Sequence, residues 1–133
     1  MRVLALDYGA GRCGVAVSDP SGTIATPLEP VLRPATKRGF AELLNRIAEL
    51  EPERVIVGLP LSLSGGDSAQ TTETRAFADK LARAIKVPVE LYDERFTTSL
   101  ALQAGGSGSL DSRAAATLLA EWLELPNKGG SDP

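Results

Sequence analysis

The stretch VLALDYGAGRCGVAVSD, residues 3–19, contains two apolar runs separated by glycines. An apolar run ends in an acid, Asp7, glycines interrupt the pattern, and a second apolar run follows. The pattern predicts a strand over 3–8, a glycine-containing turn, and a hairpin partner strand over 14–18. A carboxylate at the end of a buried strand is costly unless something compensates its charge. Asp7 is therefore a candidate functional residue.

The rest of the sequence predicts strands and helices that alternate. A turn over 19–22 leads to an extended segment over 23–32, which two prolines mark as an edge strand. The remaining apolar spacing predicts a helix over 36–51, a strand over 54–58, a helix over 69–86, a strand over 87–92, a short helix over 97–103 and a helix over 111–123. Strands that alternate with helices are parallel. The expected fold class is α/β: a mixed five-stranded sheet, with a three-strand meander then two parallel strands, and helices on both faces.

Length and composition bound the class of protein. The 133 residues, 43% of them apolar, predict one domain over 1–126 and a loose tail over 127–133. No apolar run approaches the roughly 20 residues of a membrane span, and an acid comes too early for a secretory signal. The single cysteine, Cys13, excludes an internal disulfide, and we expect a cytoplasmic protein. The net charge of −3 argues against a generic basic nucleic-acid binder, although a local basic patch remains compatible with it.

Three acids follow or open predicted elements. Asp7 closes the first strand, Glu94 follows the strand over 87–92, and Asp111 opens the last helix on the stripe of its apolar residues. Functional groups gather at the carboxyl ends of parallel strands. With no histidine and one cysteine in the chain, a metal site would use oxygen ligands, which favours Mg²⁺ or Mn²⁺. Such a site suits phosphodiester hydrolysis, where two ions about 4 Å apart activate water and stabilise the leaving oxygen.

Each of these residues also has a structural explanation. Asp111 could simply cap its helix, and Glu94 could pair with Arg95 or another surface cation. Asp7 is harder to explain in this way, because it directly follows an apolar strand. Arg12 and Arg95 each lie near one of the acids in sequence, and they could contact a phosphate or only balance the carboxylates. Turn geometry alone would explain Gly9 and Gly11, which also fit a backbone held close to phosphate or metal.

Two further features are ambiguous. The segment LSGGDS, residues 63–68, resembles a transporter-ATPase signature, but the chain lacks the GxxxxGK[ST] loop which that interpretation requires. We interpret it as a loop that leads into the second helix, with Asp67 or Ser68 as the N-cap of that helix. A role of this loop in contacting a nucleic-acid backbone is the alternative. The basic residues Arg33, Lys37 and Arg38 could touch such a backbone, but a solvated helix start is the commoner explanation.

The motifs together resemble one family. LALDYGAGRCGVAVSD, VIVGLPLSLSGG, LYDERFTT and LDSRAAATLLAEWL occur in an order and spacing that resembles the YqgF/RuvX family over nearly the whole chain. The resemblance implies a ribonuclease H-like fold related to Holliday-junction resolvases, and a metal-dependent nuclease, a hydrolase, that trims the 5′ end of precursor 16S rRNA. Branched DNA is the alternative substrate. The family's acids fall on Asp7, Glu94 and Asp111, with Asp93 as a substitute for Glu94.

The chain departs from the family pattern at a few positions. Members often carry a basic residue where this chain has Gly11, and a branched apolar residue where it has Cys13. The segment before the last acid, often lysine-rich, is the uncharged GGSGSL, residues 105–110. The last departure removes an element that could contact a nucleic-acid backbone, but none of the three acids. Arg12, Arg95 and the glycine turn remain the candidates for that contact.

Two other functions stay open. The first hairpin also resembles the phosphate-1 element of the actin and sugar-kinase group, but those proteins need two lobes and this chain has the length of one. A non-catalytic RNA-binding assembly factor on the same fold is the other alternative. We expect a monomer or a homodimer, and cleavage of branched DNA favours a symmetric dimer because two strands must be cut.

Overall fold

The fold is built on a mixed sheet of five strands. The computed structural model describes residues 1–60, 69–93 and 110–125, with the side chains of residues 110 and 111 outside the description. Its elements are β1 (Val3–Asp7), β2 (Arg12–Ser18), β3 (Ala25–Leu32), α1 (Lys37–Leu50), β4 (Arg54–Leu59), α2 (Ala69–Ala84), β5 (Val89–Asp93) and α3 (Leu110–Glu124). Within these ranges the strand order is β3-β2-β1-β4-β5. The first three strands pair antiparallel, and β4 is parallel to both β1 and β5, which confirms the predicted architecture.

Strand β1 is central and covered on both faces. Val3 and Ala5 belong to the apolar cluster that contains the buried side chains of α3, whereas Leu4 and Leu6 belong to the cluster formed with α1 and α2. All four side chains are fully buried. Because side chains alternate along a strand, odd-numbered positions of β1 face α3 and even-numbered positions face α1 and α2.

Helix α3 packs closely on its face of the sheet. Ala5, Ala16 and Ala115 are fully buried at this contact, and their small side chains let the helix backbone approach the strands. The predicted apolar stripe of the helix is buried as expected: Ala115, Leu118, Leu119 and Trp122.

Helix α1 begins at a tight turn after β3. Thr36 is the N-cap, and its hydroxyl accepts a hydrogen bond of 3.0 Å from the Gly39 amide. A Cβ at Gly39 would lie 2.0 Å from the Arg33 carbonyl oxygen, so only glycine fits there. The helix ends at Glu51, which adopts the left-handed conformation. The predicted stripe is packed on the sheet, with Leu44 partly buried beside Phe40, Leu43 and Ile47.

The turn between β2 and β3 is organised by Asp19. Its carboxylate accepts hydrogen bonds of 2.7 Å from the Thr23 and Ile24 amides, and another from the Ser21 hydroxyl. The hydrogen bond from Ile24, with those from Ser21 and Thr23, holds the pKa of Asp19 well below its usual range. This acid, the last residue of the stretch 3–19, therefore has a structural role.

The structure corrects several element boundaries. Strand β2 begins at Arg12 rather than 14, because Arg12 pairs with Leu32. Strand β3 begins at 25 rather than 23, because the amides of 23 and 24 serve the Asp19 turn. Strand β5 spans 89–93 rather than 87–92, and α2 ends at 84 rather than 86.

Other predictions fall outside the described residues. These are the short helix over 97–103, residues 105–109 of the uncharged segment and the tail over 127–133. The loop over 63–68, with the helix cap predicted at Asp67 or Ser68, is also among them. Among the helices that the structure does describe, none combines the length and the apolar character needed to cross a membrane.

Candidate functional site

Asp7 lies at the carboxyl end of the central strand. Leu6 is in register with Val57 of β4, and the next residue of β4, Gly58, is in register with Tyr92 of β5. The end of β1 is therefore level with the ends of β4 and β5, the two strands that run in the same direction. The Asp7 side chain is half-buried, and the alternation along β1 places it on the face covered by α3. A carboxylate occupies the edge of the sheet where α/β proteins place their functional groups.

The neighbouring strand brings a cation to the same face. Gly14 lies directly opposite Asp7 and presents no side chain there. Ala16 of β2 packs against α3, and side chains alternate along a strand. Arg12, which lies two residues before Gly14, therefore points to the same face as Ala16. Diagonal neighbours on paired strands have Cα atoms roughly 7–8 Å apart, within reach of a long side chain. Arg12 is exposed, so its guanidinium is available to a ligand beside Asp7.

The first turn of α3 is anchored beside this strand pair. The β2–β3 register shifts between Cys13 and Val15, and the Val15 amide donates a 3.3 Å hydrogen bond to the Ser112 hydroxyl oxygen. Ser112 is fully buried. Since Val15 is adjacent to Gly14, the bond fixes the start of α3 next to the Asp7–Gly14 pair. Ser112 is not among the residues predicted from the sequence. A polar residue two positions after the start of an apolar helix is its only sequence signal, and that signal does not identify the partner Val15.

Strand β5 presents its even-numbered residues to α3. Glu90 accepts a 3.1 Å hydrogen bond from the Trp122 indole, and Tyr92 packs on the apolar cluster beneath α3. Burial, with smaller contributions from Glu121 and Asp93, raises the pKa of Tyr92. By the same alternation, Asp93 lies on the opposite face of the strand end from Tyr92, and it is exposed.

The described residues contain part of the predicted acidic site. Glu94, Arg95 and the side chain of Asp111 lie outside the description, so the assignment of Asp7, Glu94 and Asp111 as one site stays a prediction. Within the described ranges, no group of three or more His, Cys, Asp or Glu side chains is placed to hold a metal ion.

Residues 1–125 match the family described as "RuvX: Holliday junction resolvase". This chain belongs to the RuvX family. Three relatives of the RuvX-family chain are named "Putative pre-16S rRNA nuclease". The protein of Clavibacter michiganensis subsp. michiganensis is 42% identical over 98% of this chain and 87% of its own length. Those of Streptomyces avermitilis and Anaeromyxobacter sp. are 42% and 39% identical, over 99% and 93% of this chain and 91% and 97% of their own lengths.

A solved structure confirms the ribonuclease H-like fold of the RuvX-family chain. T. thermophilus RuvC in complex with Holliday junction substrate superposes with a TM-score of 0.62 at 19% identity. The match covers 92% of this chain and 94% of that one. At this identity the likeness establishes the fold alone.

The two glycines of the β1–β2 turn in this RuvX-family chain differ in their packing. A Cβ at Gly9 would lie 2.8 Å from the Arg12 carbonyl oxygen, whereas a Cβ at Gly11 would meet nothing within 4 Å among the described residues. The turn therefore requires glycine at position 9 but not at position 11. The predicted contact of both glycines with a nucleic-acid backbone remains a prediction, and for Gly9 the turn offers its own explanation.

Replacing Gly9 with alanine should destabilise the protein, because the new methyl group meets backbone that cannot turn aside. We expect a loss of about 1–3 kcal/mol in the free energy of unfolding, the range for overpacked sites. Gly11→Ala is the matched control, and its effect should stay within about 0.5 kcal/mol. Urea denaturation measures both, and equal values for the two variants would contradict the close approach at position 9.

Replacing Ser112 with alanine should also lower stability. The change leaves the buried Val15 amide without its acceptor, which costs roughly 1–3 kcal/mol. Thr117→Ala on the same helix is the control, because the Thr117 hydroxyl only donates to the Arg113 carbonyl one turn back. Thermal and urea unfolding of both variants compare the two hydroxyls. A Ser112→Ala protein as stable as Thr117→Ala would show that the bond to Val15 does not anchor α3.

Proposed function

We propose that this protein is a divalent-metal-dependent nuclease that hydrolyses phosphodiester bonds in structured nucleic acid, and that its substrate is the 5′ end of precursor 16S rRNA. The observation that carries the proposal is the position of Asp7, a half-buried carboxylate at the carboxyl end of the central strand on the face covered by α3. The names of the relatives support the rRNA substrate. Processing of such a substrate would place the activity in the cytoplasm, during ribosome biogenesis.

The metal site of the proposed enzyme consists of Asp7, Glu94 and Asp111. Their carboxylate oxygens suit Mg²⁺ or Mn²⁺. Asp111 directly precedes Ser112, whose hydroxyl is held beside the Asp7–Gly14 pair. A bound ion would supply Lewis-acid activation of the attacking water and of the scissile phosphate.

Strand alternation favours Glu94 over Asp93 as the second acid. Glu90 and Tyr92 face α3, as Asp7 does, and Glu94 is the next even-numbered residue in the sequence. Asp93 lies on the face opposite Tyr92, and therefore opposite Asp7, which counts against it as the second acid.

Arg12 is the proposed contact to the substrate backbone. It is exposed on the face of Asp7, and a guanidinium binds phosphate oxygens through two parallel hydrogen bonds. Its role would be to hold the scissile strand against Asp7. We assign the same role to Arg95, with close approach of the backbone at Gly9 and Gly11.

Branched DNA is the second candidate substrate. The description of the matching family favours it. A junction presents two strands for symmetric cleavage, so this function requires two copies of the chain. Trimming of one RNA end requires only a monomer, and the oligomeric state in solution separates the two cases.

Cleavage of matched substrates tests the proposal. The purified chain is incubated with Mn²⁺ or Mg²⁺ and a 5′ precursor fragment of 16S rRNA, a fragment with the mature 5′ end, or a four-way DNA junction. We expect the precursor alone to be cut, and EDTA to abolish cutting. Preferred cleavage of the junction by a dimer would favour the second candidate. RNA binding without any cleavage would overturn the nuclease proposal in favour of an assembly factor.

A further inference from the structure

A cavity lined by aromatic rings lies on the face of the sheet opposite Asp7. Its volume is about 310 Å³, and it opens between α1, α2 and the turn that follows β3. Tyr8 stacks on Phe77 with ring centroids 4.4 Å apart, and Phe40 meets the edge of Phe77 at 6.3 Å. The other lining residues are Pro34, Ala35, Glu73, Ala76 and Lys80.

The three rings belong to the hydrophobic core, and they leave the adjacent cavity unfilled. Tyr8, Phe40 and Phe77 are 5–8% exposed, and each still forms part of the cavity wall. Small-molecule sites span roughly 300–1,000 Å³, so this cavity lies at the lower end of that range. It suits one planar ring system and is too small for a base pair.

Two opposite charges stand at the rim of the aromatic surface. The Lys80 ammonium lies 4.3 Å from the centroid of the Phe40 ring, and Glu73 contributes an exposed carboxylate. Glu73 is close enough to the Tyr8 hydroxyl to contribute, after burial, to the raised pKa of that group. Aromatic rings, a hydrogen-bond acceptor and an ammonium group together match the ring, the exocyclic amine and the phosphate of a nucleotide.

The cavity is close to the proposed catalytic edge. Tyr8 directly follows Asp7, and its side chain takes the other face of the sheet. Arg33, just before the lining residue Pro34, donates its amide to the Gly11 carbonyl, which ties the cavity rim to the β1–β2 turn. A nucleic-acid strand that crosses this edge of the sheet can offer a phosphate to the face of Asp7 and another of its bases to the cavity.

We propose that the cavity formed by Tyr8, Phe40, Phe77, Glu73 and Lys80 binds one unpaired nucleobase with an exocyclic amine, from the strand that the enzyme cleaves. The inference rests on the proposed function, because the substrate strand supplies the base. The base packs against the parts of the three rings that line the cavity and displaces the Lys80 ammonium, which then pairs with the phosphate of the same nucleotide. Glu73 accepts a hydrogen bond from the amine, and the oxo group of uracil at that position offers no donor.

Titration with mononucleotides tests the site without chemistry. Cytidine 5′-monophosphate and uridine 5′-monophosphate are added separately to the full chain in EDTA, and NMR follows the ring protons of Phe40 and Phe77. CMP should shift these signals and bind roughly tenfold more tightly than UMP, the effect of one hydrogen bond to a charged acceptor. Shifts confined to other parts of the protein, or equal affinity for both nucleotides, would overturn the proposal.

Variants of exposed residues complete the test. Ala76→Phe should fill the cavity and weaken binding of a single-stranded oligo(C) RNA roughly tenfold, the effect of losing one base stack. Ala82→Phe adds the same side chain at an exposed position of α2 away from the cavity, and it should bind as the wild type does. Glu73→Gln changes no packing and should abolish the preference for CMP. Equal RNA binding by the two phenylalanine variants, or an unchanged preference in Glu73→Gln, would contradict the site.

The outcome is separable from that of the nuclease proposal. Metal-dependent cleavage by a protein that fails to bind CMP in the cavity would overturn the base site alone. CMP binding by a protein that cleaves nothing would overturn the nuclease proposal alone.

Discussion

Replacing Asp7 with asparagine should abolish metal-dependent cleavage while the protein stays folded. Asparagine has nearly the same shape as aspartate, so the half-buried site at the end of β1 keeps its packing. The substitution removes the negative charge that a hard cation requires. Removing a residue that only hydrogen-bonds to a metal ligand costs roughly 10–100-fold in activity. Removing the ligand itself should therefore cost more than about 100-fold. Initial rates with Mn²⁺, at equal protein concentration, measure the effect.

Asp19→Asn provides the control for this prediction. Asp19 belongs to the same stretch of sequence, but its carboxylate accepts hydrogen bonds from the β2–β3 turn. The control should therefore cleave at a nearly normal rate and melt at a lower temperature than the wild type at neutral pH. Asp7→Asn should instead lose cleavage and stay folded. Similar residual activity in both variants would mean that Asp7 is not a ligand, or that the measured activity belongs to a contaminant.

The stability difference between Asp19→Asn and the wild type should depend on pH. The folded state lowers the pKa of Asp19, so its contribution to stability is complete above the unfolded-state pKa, at about pH 4. It disappears as the pH falls towards the folded-state pKa. Melting temperatures of the two proteins should therefore converge in acid.

The order of the elements could be predicted because apolar spacing and burial coincide in this chain. The stripe that ends in Trp122 and the apolar run of β1 are both buried where the sequence indicated. The boundaries of the strands could not be predicted, because they depend on hydrogen bonds that the sequence does not show. The amides of Thr23 and Ile24 looked like part of a strand, yet they are used by the carboxylate of Asp19.

Within the candidate site, a charge after a buried run was sufficient to find Asp7. The same reasoning could not find Ser112, whose partner Val15 is 97 residues away in sequence and depends on a register shift in the sheet. The aromatic cavity was missed for another reason. Phe40 and Phe77 occupy core positions of their helices, so the sequence predicts only that they are buried. The cavity beside them forms between segments that are far apart in the sequence.

Replacing Trp122 with alanine should cause the largest loss of stability. The side chain is 1% exposed and is the largest one fully buried among the described residues. It packs beneath the sheet and donates to Glu90, whose other carboxylate oxygen accepts a 3.0 Å hydrogen bond from Arg54. Truncation of a buried tryptophan costs about 3–5 kcal/mol. Since a domain has only about 5–15 kcal/mol in total, urea unfolding should show a sharply lower midpoint.

Trp122→Phe separates packing from the hydrogen bond. Phenylalanine keeps most of the buried apolar area but removes the indole N–H, and the Glu90 side chain is 38% exposed, so water can replace the lost donor. We therefore expect a loss of about 1 kcal/mol for this variant, well below the alanine value. Equal losses in the two variants would mean that the link from Trp122 to Glu90 and Arg54, rather than burial of the ring, holds α3 on the sheet. In that case Glu90→Ala should destabilise the protein as much as Trp122→Ala does.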